Sequence, residues 1–530
     1  MNTMPFPRLL LRPRLAVLFA LTLALLAATL PAQSHWVYPG PHGKLVYTYT
    51  PKGDRIPDFS YAGYEGGGVA LPTVPAKRTV APSGSDDTTA IQAAIDAVSA
   101  LPLVNSFRGA VELAPGDFHC AHPLVIAASG VVLRGAGNGK DGTTIEMTGS
   151  PHQALRIMGQ LQQTPTGVST VVTDAYVPAG ATTLHVADAS KFHPGDTVLL
   201  SKPVTATWVH FMGMDDMHRN GQAEHWVTAP RLEVRRRIAA VNIKAAGGNT
   251  LTLDVPLMDS YDSSFFEGGH AEAEKIDVTG QIAQVGVENL RFVAPQQTIA
   301  LGQPEFSGMN IRDAVDSWFR SITFEDTTNG VSVNSGSERI TFEQCAIEQH
   351  THVTSSAKPA DFAVSGSQIL FDRCTGSGDN TFYIVTQDRG QGPVVVLHCR
   401  FTGNGHMQPH QRWFTGLLVD NCEVPGGGID MMNRGEMGSG HGWAIGWAVA
   451  WNNSAQSFAM NTPPGSMIWS IGNIGEETDP AFPLFDGGPP RPALEPATIE
   501  SPGKPVAPQS LYLEQLRERL GNQAVKNIGY

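Results

Sequence analysis

"RITFEQC" (residues 339–345), "QILFDRC" (368–374), "PVVVLHC" (393–399) and "GLLVDNC" (416–422) share one arrangement: two apolar residues two apart, then a cysteine three positions on. The first apolar residues, Ile340, Ile369, Val394 and Leu417, are 29, 25 and 23 positions apart. A constant short strand at a variable interval places the variation in loops. This is the mark of a solenoid whose coils stack like on like. Leu290 with Phe292 and Ile322 with Phe324 read as earlier copies, Trp447 with Val449 and Trp469 with Ile471 as later ones. No leucine-rich-repeat consensus or asparagine ladder is visible, so the pattern predicts an all-β parallel β-helix. The regular placement of Cys345, Cys374, Cys399 and Cys422 points to a buried stack more than to disulfides, for which stacked neighbours are poorly directed.

Composition agrees with a chain that turns often and buries a large core: 41% hydrophobic and 16% charged, with 56 glycines and 38 prolines. Before the repeats, "SDDTTAIQAAIDAVSA" offers Ser85 or Asp86 as an N-cap, with Ile91, Ile95 and Val98 on one helix face. Such a helix can cover the open end of a solenoid core. Residues 165–280 break the pattern with hairpin-like strands and predict a small inserted β subdomain. The last segment, rich in proline and acids, ends in "SLYLEQLRERL", whose Leu511, Leu513, Leu516 and Leu520 could dock a helix. The expected organisation is therefore a signal peptide (1–32), an extended segment (33–82), capping helix and first coils (83–164), the insertion (165–280), the main coils (281–475) and a strap with a helix (476–530).

Arg8, Arg12 and Arg14 precede an uncharged apolar run from Leu15 to Leu30, too short for a comfortable membrane span but suited to an export signal cleaved after Ala32. The expected location is secreted or periplasmic, with no membrane partner after cleavage. Losing those three arginines takes the formal charge from −13 to −16. So acidic a surface excludes nucleic acid as a partner and repels an anionic polysaccharide unless a local island of cations exists.

"DDTTAIQAAIDA" (86–97), "GAVELAPGDF" (109–118) and "SGVVLRGAGNGKDGTTI" (129–145) resemble the opening coils of the pectate lyase superfamily, a group that includes rhamnogalacturonase-like and tailspike-like proteins. The resemblance implies a right-handed helix with an N-terminal capping helix. It leaves the chemistry open, because that fold hosts lyases, hydrolases and binders. "GHGWAIG" (440–446) is similar to the Gly-His-Gly segment of polygalacturonases, but the other elements of that site are missing.

Polar groups concentrate in "HMQPHQRW" (406–413) and "DMMNRGEMGSGHGW" (430–443). Coils stack about 5 Å apart, so such groups converge on one groove. A zinc reading of His406 and His410 fails, because Pro409 and nearby glycines oppose the helix it needs. Cleaving a uronic-acid polymer by β-elimination requires a base for the proton alpha to the carboxylate and a cation to neutralise that carboxylate. His406, His410 and His441 are the candidate bases, and Arg434 the neutraliser or alternative base. The alternative is a glycoside hydrolase with Asp430 and Glu436 as paired acids; a further alternative is a non-catalytic glycan binder or adhesin. Arg389, Arg412, Trp413 and Trp443 are candidate substrate-binding residues, the tryptophans as flat surfaces for sugar rings. Ca²⁺ is a conceivable cofactor, although no acidic cluster has calcium-loop spacing. The expected partner is a polysaccharide; the oligomeric state is open.

Overall fold

The computed structural model describes residues 32–243, 248–481 and 493–530. The signal-peptide reading of 1–32 falls almost wholly outside the described residues, and among these no helix is long and apolar enough to cross a membrane. The chain forms a right-handed parallel β-helix with three long parallel sheets.

The first sheet runs from Gly109–Leu113 and Val131–Arg134 through Glu338–Glu343, Ser367–Asp372, Gln391–Leu397 and Phe414–Asp420 to Ile468–Ile471. Ile340, Ile369, Val394 and Leu417 are register partners one above another, and so are Phe342, Phe371, Val396 and Val419. The rings of Phe319, Phe342 and Phe371 stack at 5.0 and 4.8 Å. Each such pair adds roughly 0.5–1.5 kcal/mol beyond its burial.

The other proposed copies belong elsewhere. Leu290 pairs with Ile322, and Thr323 pairs with Ala346, which sets Ile322 beside Cys345 and not beside Ile340. Those earlier residues therefore head the cysteine column, at the corner leading into the second sheet. All five cysteines are free and buried. The Cys374 amide donates to Cys399 Sγ at 3.3 Å and the Cys399 amide to Cys422 Sγ at 3.4 Å. Above them the Cys422 amide donates to Asn453 Oδ1 and the Asn453 amide to Asn473 Oδ1, each at 2.8 Å. An asparagine ladder thus continues the cysteines. The late copies shift by one residue: Leu418 pairs with Val449 and Val449 with Trp469, so Ala448 and Ile468 face the core. These strands are buried on both faces, which erases the alternation that distinguishes in from out.

The outer face of the first sheet is covered by the chain ends. Leu370, Val395, Leu418, Val449 and Trp451 pack with Ile56, Phe59, Leu511, Tyr512 and Leu516. Ser510 caps the helix Leu511–Leu520, accepting from the Leu513 amide, and donates to Asp420 Oδ2 at 2.7 Å. Leu511 and Leu516 dock as expected and Tyr512 is buried with them, whereas Leu520 stands 47% exposed. Near the N-terminus the helix Thr88–Ser99 buries Ile91, Ile95 and Val98 in the solenoid core. Its N-cap position is Asp87, while Asp86 Oδ1 accepts from the Thr88 amide.

The third sheet contains Gln153–Met158, Ser307–Arg312, Val331–Val333, Ala360–Val364, Phe382–Thr386 and His406–Met407, then the later halves of Glu423–Met431 and Ser454–Met460, and ends in Ile474–Thr478. Between Gln153–Met158 and the next coil stands a six-stranded antiparallel sheet, in the order Gln162–Val171, Glu272–Thr279, Thr197–Pro203, Arg231–Asn242, Thr250–Leu253, Thr183–His185. It has its own core around Leu184, Val198, Leu200, Ile238 and Leu251.

Candidate functional site

The site is built on the outer face of the third sheet. Phe362, Ile384, Met407 and Ile429 point into the core, so by alternation their neighbours point outward. Phe382 pairs with His406 and His406 with Gly428, while Met407 pairs with Ile429 and sets Gln408 beside Asp430. His406 Nδ1 lies 2.8 Å from Asp430 Oδ2, and Gln408 Nε2 donates to the same oxygen at 2.5 Å. Gly428 makes this diagonal contact feasible: a Cβ there would sit 2.6 Å from His406 Nδ1. A carboxylate oxygen only accepts, so Nδ1 carries the proton and Nε2, across the ring, keeps its lone pair. The His406 side chain is 32% exposed, that of Asp430 only 5%.

Arg434 is buried beside this pair. Its Nη1 donates to the His410 carbonyl at 2.8 Å and its guanidinium lies 5.4 Å from the Phe382 ring centroid. Burial lowers its pKa to about 10 against the pull of Asp430, so it stays charged at neutrality. The rings of His410 and His441 meet edge-on at 4.6 Å. Burial, then the charge of Arg434, pushes His410 down to about 4 and His441 to about 2. Both are neutral, weakly basic imidazoles at physiological pH, unlike the bases expected of them.

His410 and Phe382 also line a groove of about 370 Å³ that continues over earlier coils past Glu305, Asn310, Asn329 and Lys358. Those residues, together with Gln387, carry no sequence motif and escape a reading of the sequence. Only the stacking of coils brings them to His410.

Several expected contributors serve other roles. Trp413 and Trp443 are 3% and 2% exposed, packed with Trp208, Met212, Met214 and Trp226 beneath the insertion, so neither offers a sugar platform beside His406. Their indole N–H groups donate to Asp259 Oδ2 and the Met212 carbonyl. Bulky apolar side chains of the insertion hold them there by burial. Glu436 is 3% exposed and accepts from the His218 amide of the insertion, whereas Asp430 is committed to His406 and Gln408. Each carboxylate thus already holds partners on a different element, Glu436 on the insertion and Asp430 on the third sheet. Arg412 donates to the Ser439 carbonyl and Oγ, and Arg389 pairs with Asp388 at 2.9 Å. Among the described residues Glu325, Asp326 and His350 could approach a metal ion, but Glu325 is paired with Arg291 and Asp326 Oδ1 accepts from the His350 amide. None of the residues around His406 belongs to that group.

No protein-family model matches the chain. No curated protein matches it either. Solved structures do. The tailspike protein gp49 from Pseudomonas phage LKA1 is 14% identical over 74% of this chain and 69% of its own, at a TM-score of 0.28. A mutant tailspike of E. coli bacteriophage HK620, solved in complex with a pentasaccharide, is 10% identical over 76% of this chain and 55% of its own, at 0.39. The Streptococcus pneumoniae surface protein and adhesin PfbA is 10% identical over 76% of this chain and 86% of its own, at 0.37.

Proposed function

We propose that this chain is an exported carbohydrate-active enzyme, related in chemistry to the pectate lyase superfamily, that cleaves a uronic-acid-containing polysaccharide by β-elimination. The observation that carries this reading is the hydrogen bond from His406 Nδ1 to Asp430 Oδ2 beside the charged Arg434. A carboxylate that fixes the tautomer and steadies the imidazolium is how a histidine is made into a general base. His406 Nε2 takes the proton alpha to the uronate carboxylate. Arg434 neutralises the charge that spreads onto that carboxylate, in a site where burial strengthens the interaction. The electron pair forms the carbon–carbon double bond, the bond to the glycosidic oxygen breaks, and that oxygen takes a proton from water. Arg434 with Arg412 supplies the cationic island that an acidic chain needs to hold an anionic polymer.

Hydrolysis is the less favoured reading, because Asp430 holds His406 and Gln408 while Glu436 accepts from His218 of the insertion. Incubation with defined acidic polysaccharides tests the reading. Rising ultraviolet absorbance of unsaturated uronates supports elimination. New reducing ends without that absorbance would assign hydrolysis, and binding without either would make the protein a glycan binder.

A further inference from the structure

A second cavity, of about 430 Å³, lies where the extended N-terminal segment, the insertion and the loop 464–467 meet. Its walls are aromatic: Tyr176, Trp208, Phe211, Phe265, Trp413 and Trp447. Trp413, buried under the insertion, reaches this cavity only at its edge. Phe211 and Phe265 stack at 4.4 Å, and Phe211, 39% exposed, lies against Gly465, where a Cβ would sit 3.1 Å from its ring. Aromatic side chains exposed at a cavity mouth are costly in water unless something covers them.

The polar groups in this wall are few and mostly spoken for. Lys202 and Asp259 form an ion pair of 2.7 Å with side chains 7% and 1% exposed. Lys202 also donates to the Ser260 carbonyl, and Asp259 accepts from the Trp413 indole. Lys52 pairs with Asp262 at 2.8 Å, and Asp54 accepts from the Tyr176 hydroxyl. Two lysines against three aspartates leave the lining net negative. The indole N–H of Trp447, a residue 1% exposed, has no acceptor among the described residues.

From this we infer that the cavity is a carbohydrate-binding site for a neutral pyranose residue, distinct from the groove at His410. A pyranose offers apolar C–H faces to the aromatic walls and hydroxyl edges to Ser466 and the Lys202–Asp259 pair. The negative lining rejects a uronate, so the two sites select opposite kinds of sugar. The inference does not depend on the elimination chemistry.

Titration of the full chain with maltotriose, cellotriose and mannotriose, followed by tryptophan fluorescence and calorimetry, is the test. At least one of the three quenches or shifts the emission saturably, and a trigalacturonate does not compete. Phe211→Ala, at an exposed position, weakens that binding at least tenfold with unchanged thermal unfolding. Absence of binding by all three trisaccharides at millimolar concentration, or equal binding by the Phe211→Ala variant, overturns the inference. Loss of polysaccharide cleavage in the same variant would also overturn it, because the two sites would then be one.

Discussion

His406 Nδ1 and Asp430 Oδ2 stand 2.8 Å apart across adjacent coils, from positions 24 residues apart in the chain. The contact exists because Gly428, directly over His406 in the sheet, has no side chain. Asp430→Asn would present an amide that can turn its NH₂ to the imidazole and fix the wrong tautomer. The expected loss in turnover is about 10²–10⁴-fold, with substrate binding nearly intact, read from kcat and KM separately.

Gly428→Ala tests the same geometry from the other side. Its Cβ would fall 2.6 Å from the imidazole nitrogen. Because His406 is partly exposed it can swing away, so thermal unfolding should change little while turnover falls with that of the Asp430 variant.

Acid should weaken the site through its silent histidines. His410 is held at about 4, chiefly by burial, against about 6.5 in the unfolded chain. The unfolded chain therefore takes up the proton first; the stabilisation is complete above about pH 6.5 and is lost as pH falls through 4. The gap is worth at most about 3 kcal/mol. Urea unfolding at pH 7 and pH 4 should show a smaller drop for His410→Gln than for the parent chain.

The cysteine column predicts an asymmetry between two substitutions. Asn453 accepts from the Cys422 amide and donates to the Val419 carbonyl, one rung above the place where Cys422 accepts from the Cys399 amide and donates to the Val396 carbonyl. Cys422→Asn extends the ladder and should stay within about 1 kcal/mol of the parent, whereas Cys422→Val leaves the Cys399 amide without its acceptor, at about 1–3 kcal/mol. Denaturant titration separates them, and reductant should leave the parent's unfolding unchanged, since all five thiols are free.

The cap on the C-terminal helix gives a further check. Ser510 accepts from the Leu513 amide and donates to Asp420. Ser510→Ala should cost about 1–2 kcal/mol and raise proteolytic cleavage of the tail.

The stack was legible in the sequence where strands carry a cysteine, because that residue marks register independently of hydrophobicity. At Val449 and Trp469 both faces are buried, and apolar alternation alone slipped by one. For the site, His406, His410, Asp430, Arg434 and His441 were readable because two short stretches hold them all. Their division of labour was not: burial between stacked coils silences His410 and His441, and the insertion, more than 150 positions away, claims Trp443 and Glu436. Gln387, Asn329 and Lys358 have no local signal whatever.

The most direct measurement is the initial rate of unsaturated-uronate formation by His406→Ala beside the parent chain, at equal protein and with both shown folded by thermal unfolding. The account predicts a variant at or below about one hundredth of the parent rate with an unchanged melting temperature. A variant that cleaves as fast as the parent would contradict it.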